Sequence, residues 1–400
     1  MNLTWSYSML IFIFLLAIES LTALDFDAAQ IRALQHPMLD SSEGMIGSRY
    51  YQYNQSGALA NPEFSVTVEG FGKNGRNNWG NANSNNEVTY TLSQLIETAG
   101  KRSYRQNIAA YEWHKACLLD SLKRRVFLLK FSNDFFMTSF YEERIKIQEE
   151  KIVLMNERIA SLEESVKIGK AREYDLRREK QLLRLAELEL LNRKHEWQLS
   201  HKLVESGLCD DLDHCAGAIY REPLDVECDI EENPVLEIVS VEREILFLSY
   251  SLEKAKRIPN FIVSGGYSST FDNSQTSYLF EVDMPLPIFD QNQGGILAAS
   301  FEIERKDNEY QALLKALCTK KAALEFKTVS IRESLNLLES TVLNEGNEQF
   351  SLLEKGGADK LTLAEFKLSL LESKELYIET LKNLHLALFE LKYLSTERDL

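Results

Sequence analysis

The 400-residue chain is short of the residues that most chemistry needs: six histidines, five cysteines, eighteen glycines and seven prolines. So few histidines and cysteines leave little for a metalloenzyme, and so few glycines leave little for a dinucleotide-binding fold. Positive charge is also scarce. Lysine and arginine number 45 against 61 acidic residues, a formal net charge of −16. That balance argues against a dedicated nucleic-acid binder, because phosphate recognition needs a net basic face. No nucleophile, phosphate loop or convergent carboxylate pair supports an enzyme. What the chain has is 44% apolar and 26% charged residues, enough apolar material to fold.

Beyond the N-terminus, no window approaches the ~18 consecutive apolar residues of a membrane helix. Any crossing by the mature chain would therefore use strands closed into a barrel. The N-terminal run Met9 to Ile18 reads MLIFIFLLAI and is followed by small and polar residues. It is too short to span a bilayer comfortably and fits the core of a secretory signal over residues 1–23, with cleavage near Ala23. No Lys or Arg precedes it, which leaves an uncleaved anchor as the alternative.

The remainder is one plan written twice. Pro62-Glu63-Phe64-Ser65-Val66 and Pro259-Asn260-Phe261-Ile262-Val263 each open an alternating stretch. A polar loop follows each, Gly72 to Asn86 and Ser269 to Gln275, and then a second alternating stretch, Val88 to Ile96 and Tyr278 to Ile288. Phe64, Val66 and Val68 alternate with Ser65, Thr67 and Glu69, the period of a sheet with two unlike faces. Strands are expected near 63–69, 88–96, 260–268 and 277–286. An apolar outside and a polar inside suit a transmembrane barrel, but four strands cannot close one, so closure would need several subunits.

Each strand pair leads into a very long helical pattern, expected over 100–167 and 292–354, which breaks at Gly169 or at Gly356-Gly357. Further helices are expected at 174–206 and 359–396. Ile145, Ile152, Met155, Ile159, Leu162 and Val166 form a coiled-coil seam interrupted by Gln148. Charged residues including Glu142, Glu143, Lys146, Glu149, Glu150 and Lys151 fill the remaining positions. Leu176, Leu183, Ala186, Leu190 and Trp197 run a seam back, as do Leu363, Phe366, Leu370, Tyr377, Leu384 and Leu391. The runs Gly100 to Lys167 and Gly294 to Glu354 contain no proline and would each reach ~90–100 Å as unbroken helix. They describe a long antiparallel helical hairpin, present twice: a first repeat over 24–206 and a second over 233–400.

This order of strands, junctions and glycine-turned hairpins resembles the TolC-like outer membrane factor family. SQLIETAGKRSYRQNIAA (Ser93 to Ala110) and VDMPLPIFDQNQGGILAA (Val282 to Ala299) are similar to the two strand-to-helix junctions of its heavy-metal and cation-efflux branch. The resemblance implies a mainly α fold with a small membrane β-barrel. It implies a homotrimeric duct of four strands and four helical arms per subunit, embedded in outer membrane lipid. Such a duct extends into the periplasm and docks on an adaptor protein and an inner membrane pump, with no cofactor and no catalysis. It also implies a periplasmic gate near the glycine turns, which would be the adaptor-docking surface. Asp175 matches an acidic gate position, and the two constriction positions fall on Thr362 and Glu365. The family's Tyr and Arg ties to that Asp fall on Leu353 and Ala358, so those ties are absent. Asp175 reads equally well as a helix N-terminal residue favoured by the macrodipole.

Residues 207–232 form an acidic segment holding Cys209, His214, Cys215 and Cys228, placed by the resemblance near the equator of the periplasmic duct. In an exported chain a Cys209–Cys215 disulfide is favoured, with a Cys/His metal site or unpaired thiols as the other readings. No other metal site is expected. Cys117 and Cys318 read as small core residues within helical arms. The rival to a duct is an exported coiled-coil structural or adhesive protein that never enters a membrane. It accounts for the heptads but not for the paired strands.

Overall fold

The computed structural model describes residues 26–69, 71–73, 79–81, 87–210, 218–220, 229–230, 233–270, 275–357 and 359–394. The signal-like segment lies outside them, as do Cys215, Cys228 and most of the equatorial stretch. The elements are α1 (Phe26–Ala33), α2 (Pro37–Ser56), β1 (Glu63–Glu69), β2 (Phe71–Lys73), β3 (Trp79–Asn81), β4 (Glu87–Ile96), α3 (Lys101–Lys167) and α4 (Glu173–Leu208). After a single 3-10 turn (Ala218–Tyr220) come α5 (Pro234–Lys256), β5 (Phe261–Thr270), β6 (Thr276–Asp283) and α6 (Gln293–Leu337). A π-helical segment (Leu338–Asn344), α7 (Glu345–Lys355) and α8 (Lys360–Leu394) complete the described chain. The described chain is mostly helical, with a small four-stranded antiparallel sheet and a two-stranded ribbon.

Two compact units can be distinguished. One comprises Ser42–Leu119 and Val235–Leu313 and holds the sheet. Its four strands lie in the order β1-β4-β5-β6, all antiparallel, with Phe64 opposite Leu92, Tyr90 opposite Tyr267 and Tyr267 opposite Tyr278. Strand β6 stops at Asp283, short of the alternation read to Ile288, because Pro285 and Pro287 have no N–H to give a ladder. Within the loop read from Gly72 to Asn86, β2 and β3 pair as a small extra ribbon. At the strand-to-helix junctions, Lys101 Nζ donates to the Ile258 carbonyl (2.5 Å) and to Asn260 Oδ1 (2.6 Å), joining the start of α3 to the start of β5. Glu242 on α5 lies between Lys115 of α3 (2.5 Å) and Lys306 of α6 (2.9 Å). Those two ammonium groups outweigh its burial and hold its carboxyl below the usual range.

The second unit comprises the residues up to Ser41, Asp120–Pro234 and those from Leu314 onward. An aromatic cluster closes one part of it. Phe26, Phe136 and Phe389 meet edge-on or tilted at centroid distances of 4.9–5.7 Å, with Phe131 and Phe135 buried beside them. A second cluster joins α3 to α8 through Phe140, Ile147 and Leu154 against Leu371, Ile378, Leu381, Leu384 and Leu388. The α3 seam is therefore wider than read. Ile159 and Leu162 are buried as expected, whereas Ile145, Ile152, Met155 and Val166 are half-buried, and Ile147 and Leu154 form a second stripe. A helix with neighbours on two sides buries more than one heptad position. Helix α6 is not followed by one continuous arm to Glu354. The π-helical segment interrupts it where Ser340, Val342, Asn344, Gly346 and Asn347 supply poor helix formers. Cys318 is exposed, not in the core, because it lies on the solvent face of α6 that carries Gln311, Lys315 and Glu325; Cys117 is half-buried.

Candidate functional site

The register of the sheet sorts its side chains into two faces. Residues directly opposite one another in an antiparallel ladder share a face. Phe64, Val66 and Val68 therefore stand with Val88, Tyr90 and Leu92, then Val263 and Tyr267, then Tyr278, Phe280 and Val282. Although apolar, most of these side chains are solvent-exposed, Tyr278 by 87%, Phe280 by 76% and Phe64 by 67%, with Val88 and Val263 half-buried. The opposite face carries Ser65, Thr67, Thr89, Thr91, Ser93, Ser264, Ser268 and Ser277, and two pairs hydrogen-bond across strands, Ser93 with Ser264 at 3.0 Å and Thr89 to Ser268 at 3.2 Å. Its charged members are Glu63, Glu69, Glu87, Glu281 and Asp283, all acidic, with Glu69 directly opposite Glu87. Strands β1 and β6 are the two edges, and every residue of both is exposed. An exposed apolar sheet face bounded by two open edges is a liability in water and is suited to lipid and to further strands.

The two glycine turns differ in construction. Gly169 (φ +75°) ends α3 and Gly357 (φ +71°) follows α7, both in the left-handed region that only glycine enters at little cost, while Gly356 is right-handed at φ −74°. Asp175 is exposed in the first turn of α4, where its N–H donates to the Arg172 carbonyl at 3.1 Å. Thr362 lies in the first turn of α8, and its N–H donates to Asp359 Oδ1 at 3.0 Å. The Thr362 hydroxyl also donates to Asp359, and these two bonds hold the Asp359 carboxyl below its ordinary value. Glu365, one turn further on, pairs with Arg158 of α3 at 2.8 Å, and Arg158 also reaches Glu179 of α4 at 3.2 Å. The structure thus ties Glu365 to the first hairpin, places Thr362 in a helix cap and leaves Asp175 at a helix start. Leu353, at a position read for a lost tie, lines a recess with Gln349, Leu352, Gly356 and Gly357; Ala358 lies outside the described residues.

Charged side chains that the sequence presents only as seam flanks also join the helices. Arg144, Lys151 and Arg158 recur every seven residues along α3, on one face. Glu375 of α8 accepts from Arg144 (3.2 Å), Lys151 (2.7 Å) and Arg193 of α4 (2.6 Å). Arg193 is 4% exposed, and its neighbour Glu189 accepts a further bond from it. Burial favours the neutral acid at Glu375, but three surrounding cations overcome it, and the carboxyl stays below its ordinary range. Lys151 is 15% exposed and is a half-buried partner of this group, not a solvated flank. The heptad recurrence of Arg144, Lys151 and Arg158 is the available signal.

Cys209 is exposed at the C-cap of α4, at φ 54°; its suggested partner Cys215 lies outside the described residues. Among the described residues no His/Cys/Asp/Glu group could hold a metal ion, and no helix is long and apolar enough to cross a membrane. No protein-family profile matches the chain. The cobalt-zinc-cadmium resistance protein CzcC of Cupriavidus metallidurans is 23% identical over 356 residues, spanning 86% of this chain and 81% of that protein. The crystal structure of CusC, described in terms of transmembrane channel formation, matches with a TM-score of 0.76 at 13% identity, covering 94% of this chain and 93% of the other. The outer membrane protein VceC of Vibrio cholerae matches with a TM-score of 0.71 at 15% identity, covering 92% and 95%. The resemblance read from the junction motifs, to the TolC-like outer membrane factors and their heavy-metal branch, is met in sequence by CzcC and in fold by CusC and VceC.

Proposed function

We propose that this chain is one third of an outer membrane exit duct. Three copies place β6 of one against β1 of the next and close a twelve-stranded barrel, with the helical arms continuing it as a periplasmic tunnel. An inner membrane pump and a periplasmic adaptor deliver the substrate, which the duct conducts passively. The observation that carries this reading is the sheet: four strands, two open edges, one exposed apolar face and one acidic face. A barrel puts the apolar face on lipid and the acidic face on the lumen. A soluble coiled-coil protein has no use for such a sheet.

The cargo that best fits the lumen is a divalent metal cation. The name of CzcC attaches that protein to cobalt, zinc and cadmium resistance. Independently, the polar sheet face offers carboxylates and no cation to oppose passage. Asp175, Thr362 and Glu365 are the gate candidates, and the turns at Gly169 and Gly356-Gly357 are the adaptor-docking surface. The test is conductance of the purified protein in planar bilayers, with Asp175→Asn and Glu365→Gln compared to the unchanged chain. A cation-preferring channel whose closed-state leak rises in the variants supports the reading. No channel at all overturns the duct, and a channel indifferent to both substitutions overturns the gate assignments alone.

A further inference from the structure

The two hairpins are built unequally, and the inequality localises movement. Helix α3 runs without interruption to its glycine turn and keeps Leu154, Ile159 and Leu162 buried close to it. Its counterpart is broken by the π-helical segment Leu338–Asn344, and the piece beyond, α7, has eleven residues and not one that is buried. A helix shorter than about 12–15 residues has marginal stability unless packing supports it. Here the support is thin: Phe350 stacks on Phe366 of α8 at 6.3 Å, and Gly346 brings its backbone against Leu370. Helix α8 is held quite differently, by Arg158 on Glu365 and by three cations on Glu375.

We propose that Leu338–Asn344 is a hinge about which α7 and its glycine turn swing as one arm while α8 stays clamped to α3 and α4. Three features converge on it. A π-helical stretch accommodates an extra residue within a helix, and its looser hydrogen-bond ladder is where a long helix most easily bends. The residues there and just beyond are poor helix formers. The helix beyond it is unburied, whereas the helix opposite is ion-paired at two levels. The proposal rests on the duct reading for its purpose, the opening and closing of one tip, but its test does not.

Deleting Val342 removes one residue from the π-helical stretch and lets α6 run into α7 as ordinary helix with both flanking faces kept in register. Amide hydrogen exchange on the full-length protein in detergent is the measurement. In the unchanged chain, residues 345–355 should exchange at least about a hundredfold faster than residues 147–162 and than residues 365–378. The deletion should slow residues 345–355 about tenfold or more and leave 365–378 unaltered. Exposed Asn344 and Asn347 replaced together by Ala should slow the same peptide in a chain of unchanged length, which covers the case of a deletion variant that does not fold. Two results overturn the hinge: α7 and α8 exchanging together as one unit, or α7 indifferent to both variants. A protein that conducts no current but shows the predicted exchange pattern would refute the duct and leave the hinge standing.

Discussion

Replacing Glu375 by Gln is the sharpest probe of what holds α8 in place. The amide is nearly isosteric and can still accept a hydrogen bond, so the change removes the charge and little else. Three cations then lose their shared counter-charge, and the loss is worst for Arg193, only 4% exposed. Removing one partner of a buried ion pair costs about 3–5 kcal/mol. Arg193 keeps Glu189, and the Arg144 side chain is 25% exposed, so water and a second carboxylate offset part of this. About 2–3 kcal/mol is the expected loss. In a chain of this size that corresponds to a melting temperature lower by about 2–4 °C, followed by far-ultraviolet circular dichroism in detergent. The pH dependence supplies an independent check. Because the folded carboxyl is held below its unfolded value of about 4.3, its contribution is complete above that pH and disappears as pH falls through the folded value. The unchanged protein should therefore lose stability on acidification toward about pH 3 more steeply than Glu375→Gln. A variant melting within about 1 °C of the unchanged chain, with the same acid limb, would refute the claim that this carboxylate clamps α8.

Two further substitutions test the faces and the core. Val66→Arg on the apolar sheet face should reduce insertion and assembly, by about 2–4 kcal/mol if the position lies near the bilayer centre, whereas Thr67→Arg on the other face should insert normally. Heat-sensitive oligomer migration on gels distinguishes them, and equal tolerance of both would contradict the assigned faces. Phe136→Ala, which removes a ring packed against Phe26, His385 and Phe389, should cost about 3–5 kcal/mol in denaturant unfolding of the helical signal.

The repeat, the alternation of the strands and the positions of the glycine turns were legible in the sequence because each is a periodicity or a breaker with a local physical cause. Phe64 and Val66 face one way and Ser65 and Thr67 the other whatever surrounds them. The break in the second arm was less visible, because Ser340, Asn344 and Gly346 merely lower helix propensity and the hydrophobic period continues through Leu337 and Leu343. The burial of Ile147 and Leu154 could not be read from α3 alone, since a second stripe becomes core only when α8 lies against it. Glu375 had no signature of its own. Its meaning depends on Arg144, Lys151 and Arg193, up to 231 residues away in the chain.

That dependence bears on how the two copies came to differ. With the helix starts Glu173 and Lys360 set equivalent, Glu365 of the second copy corresponds to Arg178 of the first. Charge is inverted at the α8 member of the pair that joins α3 to α8. Identical copies would bring like charge against like at this contact, at a cost comparable to the gain of a favourable pair. An ion pair between repeats is therefore available only once the repeats have diverged. The same divergence left poor helix formers in the second arm and an uninterrupted seam in the first. In this chain the copy that supplies α3 acts as the fixed rail, and the copy that supplies α8 divides into a clamped helix and a hinged one.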